Sequence, residues 1–304
     1  MKALFLGIAA ILVVVAGCDD DSDCVNCPPR GVGPTPNPTL ENIWPNDNGM
    51  RWVYDHTAAH WNADVTYYPT EDAVPMHSLP HWYEVFEYLE TNVPPQATQT
   101  TTGTMTLQFD GLTTTQSGVT AQNLVAEVVT NPRPGRVAPD RDWRRDRSPL
   151  VNEGPLVLHG GAWVKSASGI VTYGDIGQEP TWKFLESDLS VGSTFTLQLV
   201  PQFKDDAFLH GVVFRQVNVE TEVGTFQKAL DCLYIIDWGI TRVIDLQGQT
   251  VGYLRVIDLG RVIYAPRVGP VYCYERGGIQ LGESLTAGGG DMTERLSDTN
   301  VTGR

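Results

Sequence analysis

Histidines, arginines and paired acids are the side chains whose type and spacing could support chemistry in this chain. His56 and His60 stand four residues apart, as do His77 and His81, a separation that lets two imidazoles share a metal on a helix. The surrounding residues argue against it. His56 ends an alternating stretch from Met50 that reads as a strand, where four residues span ~13 Å. Pro80 separates His77 from the helix that His81 would occupy. No metal site is assigned on this spacing. Asn131 to Leu150 carries Arg133, Arg136, Arg141, Arg144, Arg145 and Arg147, with Asp140, Asp142 and Asp146 between them. Guanidinium forks hold phosphate or carboxylate through both oxygens, so Arg141, Arg144, Arg145 and Arg147 are candidates for an anion contact, a headgroup or a partner. The simpler reading is a solvated loop neutralised by its own aspartates. No pair of acids declares itself for glycoside hydrolysis, which is judged by distance in space.

Leu158-His159-Gly160-Gly161-Ala162-Trp163 resembles the oxyanion-hole stretch of α/β-hydrolase esterases. That chemistry needs a G-x-S-x-G elbow on a strand-to-helix turn. The nearest stretch, Gly282-Glu283-Ser284-Leu285-Thr286, lacks the last glycine and a helix beyond it. No catalytic residue and no cofactor are assigned.

Cys18 has a different setting. Lys2 precedes an apolar run from Ala3 to Ala16, shorter than the ~20 residues a membrane span requires. Val15-Ala16-Gly17-Cys18 resembles a bacterial lipobox, whose cysteine becomes the acylated N-terminus. The resemblance implies a signal peptide over 1–17, acyl chains (palmitate among them) on Cys18, and a membrane-anchored place in a bacterial cell envelope. Residues 18–39, with acids from Asp19 to Asp23 and prolines from Pro28 to Pro38, read as a disordered tether. The other four cysteines are Cys24 and Cys27, a C-x-x-C in that tether, and Cys232 and Cys273, in predicted strands. Zinc would need two more ligands nearby, and a redox motif a strand-to-helix setting. An exported chain can keep disulfides, so 24–27 and 232–273 pairs are allowed.

The elements that must position these groups are almost all strands. The formal charge of -15 argues against nucleic acid as a partner and against broad attraction to anionic lipid. One β-rich domain is expected over 40–286. Met50 to His56, with Asp64 to Tyr68 as its hairpin partner, Thr104 to Asp110, Val119 to Val129 and Thr194 to Leu199 alternate as strands. Ala229 to Asp237 is apolar on both faces and should be central. Short turns through Glu275 suggest an antiparallel meander. Ser78 to Thr91 is the one predicted helix: Ser78 caps it, Pro80 suits its first turn, and Trp82, Val85, Phe86 and Leu89 form one apolar stripe. Core packing is the plain use of that stripe; a ligand or lipid face is the alternative. From Ala287 the chain is Gly-rich and polar, and 287–304 reads as a disordered tail.

Four stretches resemble a set of uncharacterised bacterial lipoproteins. They are Pro45-Asn46-Asp47-Asn48-Gly49-Met50-Arg51-Trp52-Val53-Tyr54, Leu189-Ser190-Val191-Gly192-Ser193-Thr194-Phe195, Gly224-Thr225-Phe226-Gln227-Lys228-Ala229-Leu230-Asp231-Cys232 and Tyr264-Ala265-Pro266-Arg267-Val268-Gly269-Pro270-Val271. In the last, Arg267 replaces the usual glycine. The resemblance implies a mainly β fold, a curved antiparallel half-barrel similar to the LolA/LolB lipoprotein carriers, with the 78–91 helix on its concave face. The role expected of such a domain is non-catalytic binding of an apolar ligand or a partner protein; the alternatives are a structural or assembly role in the envelope without a small ligand, and a hydrolase. The set has no established catalytic residues, so it assigns none.

Overall fold

The computed structural model describes residues 36–61, 66–75, 86, 99–130, 158, 160–173, 179–199, 207–245, 247–281 and 286–301. Twelve strands form one antiparallel sheet. In chain order they are β1 (Arg51–Trp61), β2 (Gln99–Thr114), β3 (Thr120–Thr130), β4 (Gly161–Ser166), β5 (Gly169–Tyr173), β6 (Trp182–Glu186), β7 (Thr194–Gln198), β8 (Phe208–Thr221), β9 (Gly224–Ile244), β10 (Thr250–Ala265), β11 (Gly269–Leu281) and β12 (Thr286–Thr299). Their order across the sheet is β6-β5-β4-β3-β2-β1-β12-β11-β10-β9-β8-β7. The expected mainly β fold on a curved antiparallel sheet holds, and the curvature goes beyond half a barrel. The end strand β6 comes alongside β7 and β8 without a backbone ladder. Side chains close that seam: the Tyr234 hydroxyl donates to the Phe184 carbonyl, and the Lys183 ammonium lies 6.0 Å from the Phe195 ring centre.

Period-2 alternation decides which residues fill the inside. Trp52 and Tyr54 of β1, Met105 and Leu107 of β2, Tyr234 and Ile236 of β9 and Val262 and Tyr264 of β10 join one buried cluster. Strand β9 is buried on both faces from Ala229 to Asp237, as its unbroken apolar run predicts. Its other face meets a second cluster on the outside of the sheet, made of Val212, Leu233, Ile235, Ile257, Leu259, Tyr274 and Ile279.

Three expectations change. The stretch from Ala287 is no tail: it lies within β12, which is hydrogen-bonded between β1 and β11. Asn300 then ties the end down, accepting from the Arg51 amide at 2.7 Å and donating to the Gly49 carbonyl at 2.9 Å. Strand β1 pairs with β2 and β12, not with the residues that follow it; Tyr68 instead bridges to Tyr253 of β10. Of the predicted 78–91 helix, Phe86 alone is described. It joins the outer cluster, 6.3 Å from the Tyr274 ring and capped by the Arg261 guanidinium at 5.0 Å. The stripe residue Phe86 therefore packs on the convex side of the sheet, opposite the aromatic interior; Trp82, Val85 and Leu89 lie outside the described residues.

Candidate functional site

One end of the barrel is stoppered by the chain that enters it. Leu40–Ile43 forms a single helical turn, α1, and Thr39 caps it: its hydroxyl accepts from the Asn42 amide while Asn42 Oδ1 accepts from the Thr39 amide at 2.8 Å. Trp44 follows and is fully buried. Its indole meets Trp52, Trp163, Phe184 and Tyr264 at ring-centre distances of 6.3, 5.7, 5.1 and 5.7 Å. These rings come from both halves of the sheet, and tilted aromatic contacts of this kind add about 0.5–1.5 kcal/mol each beyond burial. Lys165 clamps the plug, donating to the carbonyls of Glu41 at 3.1 Å and Trp44 at 2.7 Å. Burial of that ammonium lowers its pKa. The Arg267 amide donates to the Asn42 carbonyl, and Lys228 Nζ to Asn37 Oδ1 at 3.1 Å. Among the described residues, Arg267 and Lys228 are the non-glycine residues with positive φ, at 66° and 54°.

Above the aromatic layer the interior turns polar. The register sets one ring of inward positions: Gly103, His56, Glu294, Cys273, Val262 and Cys232 lie side by side on β2, β1, β12, β11, β10 and β9. His56 Nδ1 and Glu294 Oε1 are 2.8 Å apart, and both residues are buried. Burial raises the Glu294 pKa, and the bond to His56 holds it back. Glu275 of β11 and Asp258 of β10 extend the line, each 2% exposed. Asp258 accepts from Trp238 Nε1 at 2.6 Å and from the Gly278 amide at 2.7 Å, where a bulge turns that N–H inward. Burial outweighs both bonds and lifts its pKa to about 6.

This ring is not a nucleophile site. Burial, together with the carboxyls of Glu294 and Glu275, pushes the Cys273 thiol well above its ordinary range, whereas a reactive cysteine needs a neighbour that favours the thiolate. Cys232 and Cys273 are both free thiols, so the 232–273 bridge allowed by the sequence is not formed. Val262 stands between them in register, and two strand spacings of ~4.8 Å exceed the ~7 Å Cα reach of a disulfide. The Gly160-Gly161 pair serves packing: a Cβ at Gly160 would stand 2.5 Å from the Leu124 carbonyl oxygen, and Trp163 enters the core. Of the four histidines weighed for metal, His56 is committed to Glu294. The His60 side chain, His77 and His81 lie outside the described residues, as do Cys18, Cys24, Cys27, Arg141, Arg144, Arg145, Arg147 and His159. Among the described residues no group of three or more His, Cys, Asp or Glu is arranged to hold a metal. The acids inside the barrel escaped sequence reasoning because an inward Glu294 or Asp258 looks, in one dimension, like a solvent-facing position.

The ends of the barrel differ in their connections. At the plugged end the strands are joined by residues 115–119, 167–168, 187–193, 222–223 and 266–268. At the other end, connections 62–98 and 131–160 are far longer than their neighbours.

No family model matches the chain, and no curated protein matches it. Among solved structures it is similar to two others. One is a protein from Bacteroides fragilis NCTC 9343 provisionally described as exported, with a YmcC-like fold (11% identity, 85% of this chain and 99% of that one, TM-score 0.31). The other, from Parabacteroides distasonis ATCC 8503, is provisionally described as a lipoprotein (13% identity, 85% and 98%, TM-score 0.31).

Proposed function

We propose that this chain is a lipid-anchored protein of the bacterial envelope whose barrel is a non-catalytic binding domain for a partner protein. The anchor rests on Val15-Ala16-Gly17-Cys18 and the apolar run before it. The observation that carries the rest is Trp44. The segment that follows the tether ends inside the barrel, so the chain is held at its plugged end and the long connections leave from the opposite one. The same indole, with its four aromatic neighbours, occupies the apolar part of the interior. What remains inward is lined by His56, Glu275, Glu294 and Asp258, poor company for an acyl chain. This favours a partner bound outside over an apolar ligand carried within.

Photo-crosslinking side chains placed in the envelope-borne protein test this. Positions Glu179 and Gln247 lie at the long-connection end, Ser117 and Ser190 at the plugged end. Crosslinked protein from the first pair and not the second is expected. Equal crosslinking from both ends, or a lipid-mass adduct on the detergent-free exported chain by native mass spectrometry, would overturn the reading.

A further inference from the structure

Among the described residues, one backbone ladder, that of β1 with β12, joins the half of the sheet made by β1–β6 to the half made by β7–β12. Two side-chain pairs cross it. Arg51 meets Asp298 at 3.1 Å on the outside, where both are exposed and such pairs contribute little. His56 meets Glu294 on the inside, where neither sees solvent. The second oxygen of Glu294, Oε2, is buried without a hydrogen-bond partner. An ionised carboxylate in that position lacks half of its solvation.

The groups facing this pair are acidic or weakly acidic on every side. Tyr54 lies two residues from His56 on β1, Cys273 stands beside Glu294 on β11 with Glu275 two residues further along, and Asp258 stands four residues along β10 from Val262 of the same ring. The cations of the same strands point outward and are already matched: Arg276 to Asp291, Arg255 to Asp237, Arg261 to Asp231.

We propose that the β1–β12 joint is a proton-dependent latch, held closed by the buried His56–Glu294 hydrogen bond while Glu294 carries a proton and loosened when Glu294 ionises. The proton sits on Glu294, whose carboxyl is buried against His56. That proton is released to solvent as pH rises, leaving a buried carboxylate whose Oε2 has no hydrogen-bond partner. The raised folded-state value of Glu294 sets the sign: protection is present in acid and is lost as pH rises through it. This inference does not depend on the partner-binding reading.

Amide hydrogen exchange of the lipidated full chain in detergent micelles, corrected for intrinsic rate, reads the latch between about pH 5 and about pH 8. Protection of β1 and β12 is expected to fall by about tenfold or more over that range, a unit of titration being worth about tenfold in an opening constant. Protection of the β8–β9 ladder is expected to stay constant. Glu294→Gln, which keeps a hydrogen-bonding partner for His56 and removes the charge, is expected to flatten the pH dependence at β1 and β12. The wild-type chain decides the matter even if that variant does not fold. Protection of β1 and β12 that is constant with pH, or lost equally from β8 and β9, overturns the latch, as does unchanged pH dependence in Glu294→Gln.

Discussion

The indole of Trp44 lies against Gly269: a Cβ built on that glycine would stand 2.9 Å from Trp44 Cδ1, and its φ is 96°. The residue that stoppers the barrel thus depends on the absence of a side chain 225 positions later in the sequence. Gly269→Ala meets both a steric clash and a left-handed backbone, and should destabilise the chain by about 2–4 kcal/mol in denaturant unfolding. Two residues earlier the logic reverses. Arg267 holds φ 66° with an exposed side chain, and its amide bond to Asn42 uses only backbone. Arg267→Gly should stabilise by about 0.5–1 kcal/mol.

Removing the plug itself should cost more. Trp44→Ala deletes the indole that four rings surround, a truncation worth about 3–5 kcal/mol in a packed core. The unfolding midpoint of Trp44→Ala, measured against wild type, checks it; an unchanged midpoint would mean that the interior closes without the plug.

Asp258 predicts a pH slope with a definite sign. Its folded-state pKa of about 6 lies above the ordinary 3.8, so the folded chain binds more protons than the unfolded one. Stability from this group is full below about 3.8 and is lost as pH rises through about 6, on the order of 3 kcal/mol in all. Asp258→Asn should remove that part of the slope. One of its two donors, Trp238 or Gly278, then loses its acceptor at a cost of about 1 kcal/mol, so the variant should exceed wild type above about pH 7 and fall below it in acid. Urea titrations at stepped pH give the comparison.

Truncation after Thr286 removes nearly all of β12 and exposes the facing edges of β1 and β11. No cooperative unfolding transition is expected from the shortened chain; a folded product by circular dichroism would show that the two halves close without their central strand.

Cys232 and Cys273 should behave as protected thiols. Burial raises both pKa values, so iodoacetamide at mild alkaline pH should leave them unmodified in the native chain and alkylate both after denaturation. Mass loss of two hydrogens between them would instead demonstrate the bridge that the register forbids.

Much of the architecture was legible in one dimension. Alternation marked β1, β2, β7 and the doubly buried β9, and turn chemistry marked the hairpins, because each depends on residues a few positions apart. The break at Arg267 was visible as a departure from a motif that favours glycine, and the left-handed backbone there supplies its meaning. Strand β12 was missed because its inward row reads Gly290, Met292, Glu294, Leu296: a glycine and an acid stand where alternation wants apolar side chains.

What the chain by itself determined is therefore local: strands, turns, the lipobox resemblance of Val15 to Cys18, and an acidic surface. Tertiary structure decided that Glu294 is an interior group and not a surface one, that Cys232 and Cys273 are kept apart by Val262, that Phe86 packs on the convex face, and that Trp44 closes the barrel. All but the cysteine spacing, which is set by the consecutive strands β9, β10 and β11, depend on neighbours more than a hundred residues apart in the chain. Strand pairing is selected by the closure of the whole sheet, and a period-2 pattern records only that a residue faces one side, not what stands opposite it.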